Sequence, residues 1–272
     1  VTIRRVATGL AGLALFRPLV DNPAGVALLS DLDGTLAPIV DDPAAARPVA
    51  GVPGLLGRLA AHLGTVGVVS GRPASFLAER LAGAGPDVTL VGIYGLERVT
   101  DGLVVVAPDA RRWVDAVAQL TARAEAQAPA GVTVEAKHVT VALHWRTAPE
   151  HARWCQDVAR RWAAETGLVV VPARMAVELR PPIRSDKGTA VSELAAGSQV
   201  VVYAGDDAGD IPAFDALDRM AAGGVSQVVK VAVADSETPP QLTARADLVL
   251  SGPSAWVALL ERLADALDQT AS

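Results

Sequence analysis

Val26-Ala27-Leu28-Leu29-Ser30-Asp31-Leu32-Asp33-Gly34-Thr35-Leu36-Ala37-Pro38-Ile39 begins as a purely apolar run and ends on two carboxylates and a glycine. Four successive aliphatic residues, Val26 to Leu29, read as a strand buried on both faces. In an extended chain, residues two apart point the same way, so Asp31 and Asp33 are expected on one side. Like charges that close raise each other's pKa unless something positive lies between them. On its own the stretch reads equally as a polar turn that closes a strand, so the rest of the chain has to decide.

Working outward, apolar runs alternate with helical patterns. Gly54 to Leu63 and Ala74 to Ala82 read as helices, with strands at Val66 to Val69 and Thr89 to Val91. The same rhythm returns with a helix from Lys187 to Leu194, a strand from Gln199 to Tyr203 and a helix around Ala213 to Met220. Strands at Val228 to Val233 and Asp247 to Leu250, then a helix from Ser254 to Leu267, complete it. This alternation predicts an α/β protein: a Rossmann-like, doubly wound parallel sheet with helices on both faces.

The middle has a different texture. Arg111 to Ala126 reads as a helix, Val132 to Glu135 and Val139 to His144 as a hairpin, and Glu150 to Glu165 as a second helix. Trp154, Val158 and Trp162 share one face of that helix, which suits the core of a small domain. Val169 to Val171 and Met175 to Leu179 add two strands. The order αββαββ marks an insertion, so residues 1–107 with 183–272 are expected to form the core domain and 108–182 an inserted one.

Composition narrows the chemistry. The chain has 272 residues, is 51% hydrophobic and carries a net charge of −6 with no block of like charges, which argues against a nucleic-acid partner. A single cysteine, Cys155, excludes an internal disulfide and a thiolate cluster, and the four histidines show no metal-ligand spacing. Any metal is therefore expected to be a hard cation held by carboxylates. Arg4-Arg5 before the apolar run Val6 to Phe16 has the outline of a signal peptide. Because Arg17-Pro18 closes that run, and cleavage near Ala24 to Ala27 would cut into the first strand, residues 1–24 read as a leading helix. No run is long enough to span a membrane, and a cytoplasmic location is expected.

The polar residues that stand out follow strands: Asp31 and Asp33 the first, Ser70-Gly71-Arg72 the second, and Gly205-Asp206-Asp207-Ala208-Gly209-Asp210 the strand ending at Tyr203. Lys187-Gly188 opens a helix just before that last strand. In an open parallel sheet the carboxyl ends of the strands share one edge, where ligands bind. Each element has a plain structural reading: Ser70 or Asp210 could cap a helix, and Lys187 could be a solvated lysine. Yet the sequence has only three lysines (Lys137, Lys187 and Lys230) among many arginines, so a compact point charge is wanted at 187. Together the four segments suit phosphoryl transfer. Asp31, Asp33 and Asp206 would make an oxygen-rich Mg²⁺ site, with Lys187 and Ser70 on the phosphate oxygens.

These motifs, in this order, resemble the haloacid dehalogenase (HAD) superfamily of phosphatases. The resemblance implies that Asp31 is the nucleophile and Asp33 the general acid/base. It also implies that the side chains of Asp31 and Asp206, with the backbone carbonyl of Asp33, bind Mg²⁺, with Asp207 and Asp210 supporting the metal. The insertion occupies the place of a C2-type cap. More closely, Thr35-Leu36-Ala37-Pro38-Ile39, Ser70-Gly71-Arg72, Gly92-Ile93-Tyr94-Gly95-Leu96-Glu97, Glu135 to Arg146 and Glu178-Leu179-Arg180-Pro181-Pro182 resemble the trehalose-6-phosphate phosphatase family. Tyr94 stands where that family usually has His, and Gly209, Ile211 and Pro212 replace its Thr, Glu and Asp. The likeness implies a phosphorylated disaccharide as substrate, contacted by Arg72, Glu97, Lys137, His144, Glu178 and Arg180, and a trehalose-6-phosphate synthase working alongside. Another sugar phosphate, acted on by the same core, remains open at this level, as does a non-catalytic receiver-like module.

Overall fold

Five successive buried side chains, Val26–Ser30, make strand β1, and a sheet grows from it on both sides. The computed structural model describes residues 10–40, 42–173 and 175–271, with side chains within residues 15–270. Helix α1 (Leu10–Asp21) precedes β1 and buries Phe16 and Leu19 in the core, Phe16 lying 6.3 Å from the Trp256 ring. Of the leading helix expected over residues 1–24 and its apolar run from Val6, residues 1–9 lie outside the described residues. After β1 come α2 (Val52–Ala60), β2 (Thr65–Val69), α3 (Ala74–Arg80) and β3 (Val88–Gly92).

Two strands then appear that the apolar pattern does not announce, β4 (Glu97–Thr100) and β5 (Leu103–Val106), with β4 antiparallel to β3. Their two-residue connection, Asp101-Gly102, has positive φ at both positions (51° and 74°), the geometry of a primed hairpin turn. Next come α4 (Val114–Gln127), β6 (Thr133–Ala136), β7 (Val141–His144), α5 (Ala152–Thr166), β8 (Val169–Ala173) and β9 (Ala176–Arg180). A 3₁₀ turn, Pro108–Trp113, occupies the start of the helix expected from Arg111. The chain closes with α6 (Lys187–Leu194), β10 (Val200–Gly205), α7 (Ile211–Ala222), β11 (Gln227–Ala234), α8 (Pro240–Arg245), β12 (Leu248–Ser251) and α9 (Pro253–Ala271).

The chain divides into two units, Val1–Val104 with Ser185–Ser272, and Val105–Arg184. In the first, the strand order is β12-β11-β10-β1-β2-β3-β4-β5, and the six strands from β12 to β3 are parallel. Alternation along β1 sends Leu28 to one face, with Leu56, Leu59, Leu77, Trp256 and Leu260. It sends Leu29 to the other, with Val191, Phe214, Leu217 and Leu242. The sheet is therefore doubly wound, and its order reverses between β1 and β10, where an α/β sheet offers a crevice.

In the second unit the sheet order is β6-β7-β9-β8, antiparallel throughout. Val141, Leu143, Val177 and Leu179 pack against Val117, Leu120, Cys155, Val158 and Trp162 of α4 and α5. Trp162 meets Trp154 edge to face at 6.3 Å, so the aromatic stripe belongs to this core. The opposite row of side chains is polar. Glu135, Ala142 and Glu178 are cross-strand partners, with Thr133, His144 and Ala176 in the next row.

Glu135 ties this hairpin together. Its Oε2 lies 2.8 Å from His144 Nε2 and 3.4 Å from Lys137 Nζ. Burial alone would raise its pKa, but the His144 hydrogen bond and the Lys137 charge outweigh that and hold it at about 2, against an ordinary 4.5. A native pKa below the unfolded one stabilises the fold above the ordinary value, and that contribution is lost as pH falls toward 2. Glu135→Gln is therefore expected to lower unfolding stability in urea fully at pH 7 and much less at pH 3. Tryptophan fluorescence reads the relevant unit, since Trp113, Trp145, Trp154 and Trp162 all lie in it. A deficit unchanged between the two pH values would show that packing, not charge, is what the glutamate supplies.

Candidate active site

Asp31 follows the last residue of β1, and its amide extends the pairing with β10 by donating to Ala204 O at 2.9 Å. Ser30 fixes the exit: its hydroxyl donates to Asp31 O at 2.9 Å and accepts from Trp256 Nε1 at 3.3 Å. Leu32, between the two acids, and Leu36, after them, turn into the core, with Asp31 buried and Asp33 half-buried. Between them the chain must turn sharply, and Gly34 does so at φ +75°. A Cβ there would lie 2.0 Å from the Asp206 carboxylate, so the glycine also lets that acid approach. Thr35 Oγ1 donates to Asp206 Oδ1 at 3.1 Å.

The two motif carboxylates take separate cations. Lys187 Nζ lies 3.0 Å from Asp31 Oδ2 and 2.7 Å from Asp210 Oδ1. Arg72 grips Asp33 with both arms of its fork, Nε to Oδ2 at 2.8 Å and Nη2 to Oδ1 at 2.9 Å. Lys187 is thus no surface lysine; it is 4% exposed in the first turn of α6, whose start is secured by an Asp186–Thr189 capping box. Burial would pull its pKa down, but Asp210 and Asp31 push it well above the ordinary lysine value.

Asp210 organises the acidic loop. Oδ1 accepts from Lys187 and, at 2.6 Å, from Tyr203 OH, while Oδ2 accepts the amides of Asp206 and Asp207 at 2.9 and 3.0 Å. Gly205 makes room for it, since a Cβ at 205 would meet Asp210 Cγ at 2.2 Å. Burial would raise the Asp210 pKa, yet the Lys187 charge and these hydrogen bonds hold it below the usual range. Asp207 turns outward and caps the next turn, accepting from Gly209 N at 2.8 Å.

Asp31 and Asp206 stand differently. Burial pushes Asp31 well above the carboxylate range against the pull of Lys187, and Asp210 and Asp206 add to the rise. Burial, then Asp210 and Asp207, push Asp206 to about 8. One carboxylate oxygen from each of Asp31, Asp206 and Asp210 falls within 4.8 Å of the others. Two buried acids displaced upward beside an all-oxygen donor set fit a hard divalent cation, which would favour their ionised forms. Because both Asp210 oxygens already hold hydrogen bonds, the side chains with ligand capacity to spare are Asp31 and Asp206.

Ser70 is buried at the end of β2, and its Oγ accepts from Arg72 N at 3.1 Å. It does not cap α3, whose first amide, Ala74 N, is taken by Glu97 Oε2 at 2.8 Å. Glu97, expected at the substrate, is 1% exposed and holds the start of α3 next to the Ser70–Arg72 turn. Asp31, Asp33, Ser70, Arg72, Lys187, Asp206 and Asp210 thus come together within the first unit. In the second unit, Glu178 accepts from Thr140 Oγ1 at 2.7 Å and lies 3.4 Å from Lys137 Nζ, with His144 and Arg180 two residues along on the same face of the sheet. Sequence reasoning passed over Tyr203 and Thr35 as site residues. A tyrosine inside a strand otherwise lined with Val and Ala was the available signal, because a buried phenol needs a partner.

The sequence model of the family described as trehalose-phosphatase matches residues 29–247. A trehalose-phosphate phosphatase of Mycolicibacterium paratuberculosis is 35% identical over 254 residues, covering 89% of this chain and 63% of that protein. The chain therefore spans less than two thirds of the curated relatives it first matches. Among solved structures, a trehalose-6-phosphate phosphatase related protein superposes with a TM-score of 0.75 at 21% identity, covering 90% of this chain and 99% of the other. The C-terminal domain of the Candida albicans trehalose-6-phosphate phosphatase gives 0.70 at 22%, covering 96% and 99%. The fold is that of a HAD core with a cap, and the chain belongs to the trehalose-phosphatase family.

Proposed function

We propose that this chain hydrolyses trehalose 6-phosphate to trehalose and phosphate through a phosphorylated Asp31. The observation that carries the reading is the buried Lys187 held between Asp31 and Asp210, with Asp206 beside them, at the carboxyl ends of β1 and β10. A lone cation placed there orients one carboxylate and leaves it a free edge from which to attack.

An Asp31 oxygen attacks phosphorus, forming the new O–P bond as the bond to the sugar oxygen breaks, and Asp33 gives its proton to that oxygen. Water then attacks the aspartyl phosphate, Asp33 takes a proton back, and Asp31 leaves as a carboxylate. Lys187 holds Asp31 in line and, with the Ser70 hydroxyl, faces the phosphoryl oxygens. The side chains of Asp31 and Asp206 with the backbone carbonyl of Asp33 would hold Mg²⁺, supported by the loop that Asp207 and Asp210 shape. When bound, Mg²⁺ supplies neutralisation of the phosphoryl charge.

For the sugar we assign Lys137, His144, Glu178 and Arg180, a polar row suited to many hydroxyls. Arg72 and Glu97, by their partners, serve the catalytic loop instead. A trehalose-6-phosphate synthase in the cytoplasm would supply the substrate. Among the described residues no helix is long and apolar enough to cross a membrane.

Phosphate release from trehalose 6-phosphate, glucose 6-phosphate and p-nitrophenyl phosphate, each with Mg²⁺ and with EDTA, tests this. EDTA-sensitive turnover that favours the disaccharide phosphate is expected. Release from the aryl phosphate alone would keep the phosphatase and overturn the sugar assignment, while no release by folded protein would overturn both. Asp31→Asn is expected to cut kcat by at least about a thousandfold, with circular dichroism and melting essentially retained. Full activity in that variant would remove Asp31 from the role of nucleophile.

A further inference from the structure

The Arg72 fork that holds Asp33 has a second partner that no catalytic motif includes. Its guanidinium carbon lies 4.7 Å from the centroid of the Phe76 ring, and that of Arg80 lies 4.7 Å from the same centroid. Phe76 and Arg80 are four apart on α3 and so share one face of it, and Arg72 reaches the same ring from the turn just before the helix. Arg80 is tied down in turn, donating to Ala46 O at 3.0 Å and to Ala44 O at 2.8 Å, next to Glu79. Phe76 itself packs against the main core of the sheet.

A guanidinium held over an aromatic ring by cation–π attraction can still pair bidentately with a carboxylate through its N–H edge. The edge of Arg72 is on Asp33, at 2.8 and 2.9 Å. Without the ring, Arg72 would keep its charge and lose a contact that helps to hold it in this orientation. We propose that Phe76 is a positioning residue: an aromatic shelf that orients Arg72 so that its fork aims Asp33 for proton transfer. This rests on the reading of Asp33 as the proton-transfer group, while the contact between ring and fork stands apart from it.

The test pairs a double-mutant cycle with a measurement that needs no turnover. In the full chain, Arg72→Ala is expected to lower kcat by on the order of a hundredfold. Phe76→Leu should lower it by about tenfold with KM within about twofold, and Phe76→Tyr, which keeps the ring, should stay near wild type. Adding Phe76→Leu to Arg72→Ala should then change kcat by less than about twofold. Equal losses from Phe76→Leu in both backgrounds would overturn the proposal, because Phe76 would then act through core packing alone.

Independently, hydrogen exchange at the Arg72 side-chain Nε–H, read by NMR, should be about tenfold faster in Phe76→Leu than in wild type or Phe76→Tyr. Unchanged exchange in Phe76→Leu would overturn the shelf even if kcat fell. Should the wild type release no phosphate at all, the phosphatase reading fails, and the exchange comparison still decides whether Phe76 orients Arg72.

Discussion

Everything in the core site depends on one buried ammonium group. Lys187 is 4% exposed, and taking such a charge out of water is unfavourable unless close partners compensate. Asp210 and Asp31 compensate it from two elements, the turn after β10 and the end of β1. These strands flank the point where the sheet order reverses, so topology brings the acids together and the lysine prevents their mutual repulsion from opening the crevice. Removal of Asp210, which also holds Tyr203 and two backbone amides, would strip Lys187 of its nearer partner and undo the loop after β10, which ties the site's integrity to that of the fold.

Asp210 shows how the burden is divided. With both oxygens satisfied by a lysine, a phenol and two backbone amides, it carries ordinary ionised character inside the protein. Asp31 and Asp206 lack such a set, and burial pushes both upward. The contrast separates a fully partnered carboxylate from two with ligand capacity to spare, although all three are aspartates within a few ångströms of each other.

Much of this was legible in the sequence. The apolar runs located the core strands because strands buried on both faces leave little room for polar residues, and motif order drew the acids, Ser70 and Lys187 to one sheet edge. The β4–β5 hairpin escaped, although Asp101-Gly102 carries the dipeptide of a primed turn; the flanking strands are too short and too mixed to show a period. The alternation argument placed Asp31 and Asp33 side by side but could not foresee that each would take its own cation. Nor could it find the partner of Glu97, since a contact across 23 residues, from the Ala74 amide to the Glu97 carboxylate, is decided by tertiary packing.

The two units meet different electrostatic demands, which explains why they were unequally readable. In the core, charges are gathered and buried, so each needs a specific partner and few residue types can serve; the motifs are accordingly sharp. Along the polar row of the inserted sheet, Glu135, Lys137, His144 and Glu178 hold one another on a strand face, and alternation alone brings them into line. Recognition of a polyol asks for several oriented donors and acceptors rather than one exact charge arrangement, and many residue combinations satisfy it. The core pattern can therefore be recognised from a handful of residues, whereas the polar row of the inserted sheet can be built from many combinations and is correspondingly harder to read.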